Sequence, residues 1–133
     1  MNLEQVKIIE IPKIKDNRGN LSVIEKDLLP FLFKRVYYLY DVPSGAYRGG
    51  HAHKEQEEFL IALSGSFNVV LQDRTGKKRT FTLNKPNQGL LVSNMIWREL
   101  EGFSSGAVCL VVASDVYDES DYIRDFEKFM EME

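Results

Sequence analysis

Two histidines stand one residue apart near the middle of the chain, in a segment with regularly spaced glycine and glutamate residues. From Gly45 to Gly65 the sequence reads GAYRGGHAHKEQEEFLIALSG, with five residues before His51, four between His53 and Glu58, and six after Glu58. Side chains alternate along a β-strand, so His51 and His53 point to one face. The chain has no other histidine, and we interpret the pair as functional rather than as ordinary core or surface residues.

The rest of the sequence is typical of an all-β protein, because short segments rich in β-branched and aromatic residues alternate with turn residues. We predict strands over residues 6–11, 21–25, 34–41, 47–53, 58–63, 67–72, 79–83, 89–92, 96–100 and 107–113. The spacing leaves no room for a linker, so residues 1–133 are predicted to form a single domain.

The last segment, SDYIRDFEKFMEME, has helical rather than alternating periodicity. It predicts a short C-terminal helix that packs on the barrel, with Asp118 or Ser120 as its N-cap. The residues that would share its apolar face are Tyr122, Phe126, Phe129 and Met130. We interpret this aromatic stripe as a core or dimer contact.

Composition and charge exclude several classes of function. Hydrophobic residues make up 44% and charged residues 28% of the chain, and the net charge is −3 with dispersed basic residues, which argues against nucleic acid as a partner. No apolar run is long enough for a membrane span. The N-terminus lacks the features of a secretory signal and Cys109 has no partner for an internal disulfide, so we expect a cytoplasmic protein with a buried, inert thiol.

The spacing around the histidines matches the first sequence motif of the cupins, which predicts a jelly-roll barrel. In metal-binding cupins, His51, His53 and Glu58 would be three ligands, and a histidine of a second motif would be the fourth. That second region, GLLVSNMIWREL, contains no histidine, and Arg98 stands near the expected position. A guanidinium has no lone pair to donate to a metal, so we predict neither a metal nor another cofactor.

Without a metal, the two imidazoles are candidates for general acid and base catalysis near neutral pH. Nearby cationic side chains can hold phosphates or stabilise an enolate oxygen. The candidates are Arg18, Arg35, Arg48 and Arg98. Alternation along residues 35–40 places either Arg35 and Tyr37 or the opposite set with Tyr38 towards the pocket, and we favour the face with Arg35 and Tyr37.

Several blocks of the sequence together resemble the nucleoside diphosphate-linked 4-keto-6-deoxyglucose 3,4-ketoisomerases, which are also called WxcM-like sugar isomerases. The blocks are DNRGNL at 16–21, KRVYYLYDV at 34–42, RGGHAHK at 48–54, IWREL at 96–100, FSSGAVCLVVAS at 103–114 and YDESDYIRDF at 117–126. Separately, DNRG and RGGH also resemble the related 3,5-epimerases.

The resemblance implies a metal-free isomerisation of a dTDP-linked 4-keto-6-deoxy sugar to its 3-keto isomer through an enediol. It also implies a homodimer with swapped N-terminal strands. The family's paired histidines correspond to His51 and His53, and its preceding RG dipeptide to Arg48 and Gly49. On this basis we assign His53 as the C3 base and His51 as the group that moves the proton towards C4. Arg18 and Arg98 together do not decide whether the product is gluco or galacto at C4.

Three alternative functions are also compatible with the sequence. A 3,5-epimerase would also exchange the proton at C5, a non-catalytic cupin would bind the sugar nucleotide without turnover, and a metal-dependent cupin oxygenase would need a bound metal.

Overall fold

The computed structural model describes residues 1–132, except for the side chain of Lys26. Twelve strands and one α-helix lie within this part of the chain. They are β1 (Lys7–Glu10), β2 (Lys13–Asp16), β3 (Gly19–Ser22), β4 (Arg35–Leu39), β5 (Arg48–His53), β6 (Glu58–Ser64), β7 (Phe67–Gln72), β8 (Lys78–Leu83), β9 (Gln88–Val92), β10 (Trp97–Glu101), β11 (Val108–Ala113), β12 (Tyr122–Ile123) and α1 (Phe126–Glu131). No helix in this range is long and apolar enough to cross a bilayer.

Ten of the strands form two five-stranded antiparallel sheets. Their orders are β1-β9-β6-β11-β4 and β12-β5-β10-β7-β8. Apolar side chains from the facing sides of both sheets form the main core, which includes Leu60, Val69, Leu71, Leu90, Val92 and Val111. This arrangement confirms the predicted all-β, cupin-type jelly-roll barrel.

Strand β6 is buried on both of its faces, which explains its continuous apolar sequence. Leu60 points into the main core, whereas Phe59 and Ile61 point to the outer side of the first sheet and pack with Leu29 and Val112. The chain before β4 therefore covers part of the outer surface. Glu58, at the start of this buried strand, is carried into the interior with it.

A hairpin formed by β2 and β3 stands apart from both sheets. The two strands pair only with each other within residues 1–132, and every residue of both strands is exposed. We predicted a strand over 21–25 but none over 13–16. We placed one strand too far along the chain and missed the other, because the sequences KIKD and GNLS have no apolar stripe that would indicate a buried strand.

The predicted C-terminal helix is shorter than expected. A 3-10 turn covers Glu119–Asp121, strand β12 follows, and helix α1 begins only at Phe126 with Asp125 as its N-cap. Asp118 does act as a cap, but it caps the 3-10 turn through the Ser120 amide. Tyr122 therefore lies on a strand and not on the helix, and residue 133 lies outside the described residues.

Helix α1 closes a small apolar cluster behind β5. Ala52 has no exposed surface and packs with Trp97, Ile123 and Phe129. The small side chain at position 52 thus leaves room for the C-terminal segment, which holds β12 against β5.

We expect Phe129→Ala to lower the free energy of unfolding by about 3 kcal/mol or more, because it opens a cavity at a fully buried position. Phe126→Ala is the matched control, since Phe126 is 38% exposed on the same helix, and it should cost clearly less. Urea denaturation measures both variants. Equal losses would contradict the anchoring role of Phe129.

Candidate active site

A cavity of about 330 Å³ opens between the two sheets. Its wall combines aliphatic side chains from the core with a set of polar groups. The polar and aromatic residues that line it are Arg35, Tyr37, Arg48, His51, Glu58, Arg98, Tyr117, Tyr122 and Arg124. Cationic groups outnumber the single carboxylate of Glu58, which suits an anionic ligand.

Strand β5 carries the two histidines into this interior. The register with β10 shifts between His51 and Arg48, where Gly49 adopts a φ of +85°. Such a bulge with glycine in the left-handed region re-aims the neighbouring side chains. Beyond it, Arg98 lies opposite His51 and Tyr122 lies opposite His53, and residues directly opposite in an antiparallel pair share a face.

The two histidines occupy different depths. His51 lines the cavity, whereas His53 has no exposed surface and lies behind it. Their Nε2 atoms are 3.1 Å apart, and the Nδ1 of His53 lies 3.1 Å from the Oδ2 of Asp121. The group that can reach a ligand is therefore His51. Burial of His53 favours His51 as the group in contact with a ligand, and the assignment of His53 as the C3 base stays a prediction.

Glu58 is the centre of a buried network that joins the two sheets. Arg98 of β10 donates from Nη1 to its Oε1 at 2.6 Å, and Tyr37 of β4 donates to its Oε2 at 2.7 Å. Gln56 also donates to Oε2, at 2.9 Å. The second terminal nitrogen of Arg98 donates to the backbone carbonyls of Ser93 and Ile96. Both partners of this ion pair are held in place by further hydrogen bonds.

The surroundings keep both imidazoles neutral. Burial first, and the Arg98 guanidinium second, lower the pKa of His51 to about 3 and that of His53 to about 4, although Glu58 opposes both shifts. Burial and the adjacent Glu58 raise the pKa of Tyr37, so its hydroxyl keeps its proton. Burial alone would raise the pKa of Glu58, but Arg98, His53 and Tyr37 lower it. At neutral pH Glu58 and Arg98 thus form a charged pair beside two neutral imidazoles.

The cupin metal position does not fit a metal ion in this chain. His51, His53 and Glu58 do present ligand-type atoms within 4.8 Å of one another. Both oxygens of Glu58, however, already accept hydrogen bonds, and the cation that pairs with it is Arg98. A divalent ion would have to displace a buried guanidinium or lie beside it, and like charges in a low-dielectric interior repel strongly.

The structure brings four of the five predicted substrate-binding residues to the cavity. Arg35 and Tyr37 point inward, while Tyr38 on the other face is exposed, so the favoured orientation of β4 is confirmed. Arg48 lines the cavity, and Arg98 forms part of its floor. Arg18 does not join them. Its side chain is 86% exposed on the β2–β3 turn and pairs with Asp16.

Four residues of the site were not predicted from the sequence, and all lie in the C-terminal segment. Tyr122 packs its ring against both histidines, with ring centroids 4.9 and 4.4 Å from those of His51 and His53. Tyr117 and Arg124 line the cavity, and Asp121 bonds to His53. The block YDESDYIRDF contains all four. Because we interpreted it as the start of a helix, we did not expect their side chains to lie together at the site.

Comparison with known proteins places this fold and cavity in a family. The family described as "WxcM-like, C-terminal" matches residues 4–133. The TDP-4-oxo-6-deoxy-α-D-glucose-3,4-oxoisomerase of Aneurinibacillus thermoaerophilus is 45% identical over 124 residues, which are 92% of this chain and 88% of that protein. The chain belongs to the WxcM-like 3,4-ketoisomerase family.

Solved structures agree with this membership. The 3,4-ketoisomerase QdtA from Thermoanaerobacterium thermosaccharolyticum in complex with TDP aligns with a TM-score of 0.93 at 40% identity, covering 96% of this chain and 93% of QdtA. A dTDP-4-dehydrorhamnose 3,5-epimerase from Bacillus anthracis aligns with a TM-score of 0.81 at 17% identity over 92% of this chain and 79% of the epimerase. The second likeness shows the shared fold alone.

The histidines of this WxcM-like protein should make its stability depend on pH in a defined window. Their pKa values are lower in the folded chain than the ordinary 6.5, so the unfolded chain binds more protons. The free energy of unfolding should therefore fall as pH decreases from about 6.5 towards 4, by roughly 1 kcal/mol per histidine for each pH unit. Urea denaturation at about pH 7 and pH 5 measures this slope.

The control is the His51→Asn, His53→Asn double variant, which lacks both titrating groups. It should show a flatter dependence over the same interval, where most carboxylates are still ionised. Identical slopes for the two proteins would show that the histidines are not the groups concerned.

Proposed function

We propose that this chain is a metal-independent isomerase that converts dTDP-4-keto-6-deoxyglucose into a dTDP-3-keto-6-deoxyhexose. The observation that carries the proposal is a neutral imidazole, His51, on the wall of a cavity that also contains arginines. Family membership gives the reaction class, and the relative in Aneurinibacillus is named for this reaction. The proposal treats residues 1–133 as one catalytic domain.

The reaction moves hydrogen between adjacent carbons and needs no external oxidant. The C4 ketone acidifies the hydrogen on C3, which a neutral imidazole removes while the C3–C4 double bond forms and the C4 oxygen takes a proton. The resulting enediol then loses the proton of its C3 hydroxyl as the C3 ketone forms, and C4 accepts the returning proton. One positioned base of this kind contributes about 10²- to 10⁴-fold in rate.

His51 is the group that we assign to the removal of the C3 proton and its return to C4. It lines the cavity, whereas His53 is fully buried behind it. His53 then acts through the contact between the two Nε2 atoms rather than on the sugar. A histidine-to-asparagine mutant of QdtA was solved with TDP-4-keto-6-deoxyglucose, which supports placing a histidine close to this class of substrate.

Arg35 and Arg48 are the groups that we assign to the diphosphate. Neither forms an ion pair with an acidic side chain among residues 1–132, while Arg98 and Arg124 are paired with Glu58 and Glu119. The guanidinium of Arg35 lies 4.8 Å from the centre of the Tyr37 ring and is also close to Tyr117. An arginine held by aromatic rings but lacking a carboxylate partner is suited to bind phosphate oxygens.

The reaction in heavy water tests the proposed chemistry. NMR should identify the product as a 3-keto sugar. Deuterium should be found at C4 of the product or at C3 of recovered substrate, and none should be found at C5. His51→Asn should lower turnover by about 100-fold or more. A reaction without enzyme corrects for spontaneous exchange. Deuterium at C5 would indicate epimerisation, and equal turnover by wild type and His51→Asn would contradict the role of His51. Turnover by wild type no faster than that of the His51→Asn, His53→Asn double variant would leave only a binding function.

We further propose a homodimer in which the β2–β3 hairpin of each copy lies against the other. Ile14 and Leu21 face each other across the hairpin and are 62% and 54% exposed. A two-stranded hairpin is marginally stable by itself. The outer face of β4, with Val36 and Tyr38 exposed, continues to the exposed Tyr40 just after the strand, and this apolar surface suits such a contact. In this arrangement the hairpin turn would also carry Arg18 towards the partner's cavity, which would accommodate its predicted binding role.

Light scattering after size-exclusion chromatography tests the dimer. The Ile14→Lys, Leu21→Lys double variant should be monomeric at concentrations where wild type is dimeric. The matched control, Lys15→Ser with Asn20→Ser, changes the opposite face of the same pair of strands and should remain dimeric. A dimer that survives the first double variant would contradict the role of the hairpin.

A cytoplasmic location is the last part of the proposal. It is supported by the single cysteine, Cys109, whose thiol is buried and whose pKa is raised by that burial.

A further inference from the structure

We propose that Asp121 is a positioning residue that sets the tautomers of both histidines and so leaves Nδ1 of His51 as the basic nitrogen. The inference rests on the proposed function only for its catalytic consequence, because the tautomers themselves can be observed directly.

The Asp121 carboxylate is surrounded by donors. Its Oδ1 accepts the amide N–H of Glu55 at 2.8 Å, and its Oδ2 accepts the amide N–H of Gln56 at 3.2 Å. Oδ2 also lies 3.1 Å from Nδ1 of His53. An ionised carboxylate only accepts hydrogen bonds, so the third partner must donate as well. Nδ1 of His53 therefore carries the hydrogen.

The proton on Nδ1 fixes the role of the other nitrogen of His53. His53 is neutral at pH 7, and a neutral imidazole has one N–H and one lone pair. Its Nε2 therefore accepts. Two donors lie near it, the Nε2 of His51 at 3.1 Å and the Nε2 of Gln56 at 3.5 Å. Because the Gln56 amide already donates to Glu58 at 2.9 Å, the shorter contact assigns the donated hydrogen to His51. His51 is neutral too, so its lone pair lies on Nδ1, which has no hydrogen-bond partner within residues 1–132.

The series of hydrogen bonds from His51 through His53 to Asp121 also provides a path for positive charge when His51 takes a proton. The Nδ1 of His51 gains a hydrogen, and its Nε2 hydrogen can move to the Nε2 of His53. The imidazolium charge then rests on His53, 3.1 Å from Asp121 and 3.6 Å from Glu58. Returning the proton reverses these movements, and no atom is gained or lost.

Asp121→Asn should reverse both tautomers. An asparagine keeps one acceptor oxygen. If that oxygen retains the shorter bond from the Glu55 amide, the NH₂ group faces His53 and the weaker bond from the Gln56 amide is lost. The Nδ1 of His53 must then accept, its Nε2 becomes the donor, and His51 is left with a hydrogen on Nδ1. An imidazole in the wrong tautomer is a poor base even when its position is unchanged.

The test is ¹⁵N NMR of the histidine rings, read through two-bond couplings that identify the protonated nitrogen. The chain contains only two histidines, and His51→Asn assigns the signals. We expect wild type to show His53 with hydrogen on Nδ1 and His51 with hydrogen on Nε2, and Asp121→Asn to show both reversed. Turnover of Asp121→Asn should fall by about 100-fold or more with little change in KM.

Asp118→Asn is the matched control. It removes the same charge from the same loop and can still cap the 3-10 turn through its side-chain oxygen, so tautomers and turnover should stay as in wild type. Hydrogen on Nε2 of His53 in wild type, or unchanged tautomers in Asp121→Asn, would overturn the inference. If Asp121→Asn does not fold, the wild-type spectrum still decides. Expected tautomers without isomerase activity would overturn the proposed function alone.

Discussion

The buried ion pair between Glu58 and Arg98 is the interaction on which the rest of the site depends. It joins β6 of one sheet to β10 of the other, and both side chains are almost completely buried. Burying two charges is costly, and removing one partner leaves the other uncompensated. Here the cost is offset by hydrogen bonds from Tyr37 and Gln56 to the carboxylate and from the guanidinium to two carbonyls. The pair also sets the field felt by the histidines, since the guanidinium disfavours their protonation while the carboxylate favours it. Burial, which is the largest cause of the lowered pKa values, and this balance together leave two neutral bases in an interior that contains full charges.

A neutral imidazole can carry its hydrogen on either nitrogen, so neutrality alone does not determine which nitrogen is the base. The C-terminal segment determines it, because this segment packs β12 beside β5 and brings Asp121 to the buried side of His53. Helix α1 holds this segment through Phe129, whose cluster includes Ala52 on the outer face of the histidine strand. A short helix that does not itself line the cavity therefore supports the orientation of groups inside it. The proposed catalysis thus depends on the histidine tautomers, and the tautomers depend on the packing of the C-terminal segment.

The sequence predicted the elements whose signal is local. Alternation placed His51 and His53 on one face, and the motif spacing indicated the barrel. The period of a strand placed Arg35 and Tyr37 on a common face, and we favoured that face as the inward one because an arginine and a phenol suit a diphosphate sugar. The depth of His53 could not be predicted, because alternation defines a face and not a distance from the cavity. Asp121 was missed because its partner lies 68 positions away, and Tyr122 because two strand residues within a polar loop have no detectable periodicity. Arg18 is a third case, since it was one of several cationic candidates and no predicted strand defined its direction, and the structure of one copy leaves it in solvent.

The replacement of the expected fourth cupin ligand by Arg98 has a chemical consequence. A metal ion would hold the three ligands and also polarise a carbonyl oxygen directly. The guanidinium keeps the first role, since it neutralises Glu58, but two of its nitrogens are occupied by protein acceptors and only Nε is buried without a partner. Arg98 therefore has few hydrogens left to donate to an enediolate oxygen. Arg98 therefore replaces a metal ion in neutralising Glu58, but it does not replace a metal ion in polarising a carbonyl oxygen of the substrate. An enediol route, which spreads little charge and needs only a well-aimed base, is the kind of reaction that such a site can support.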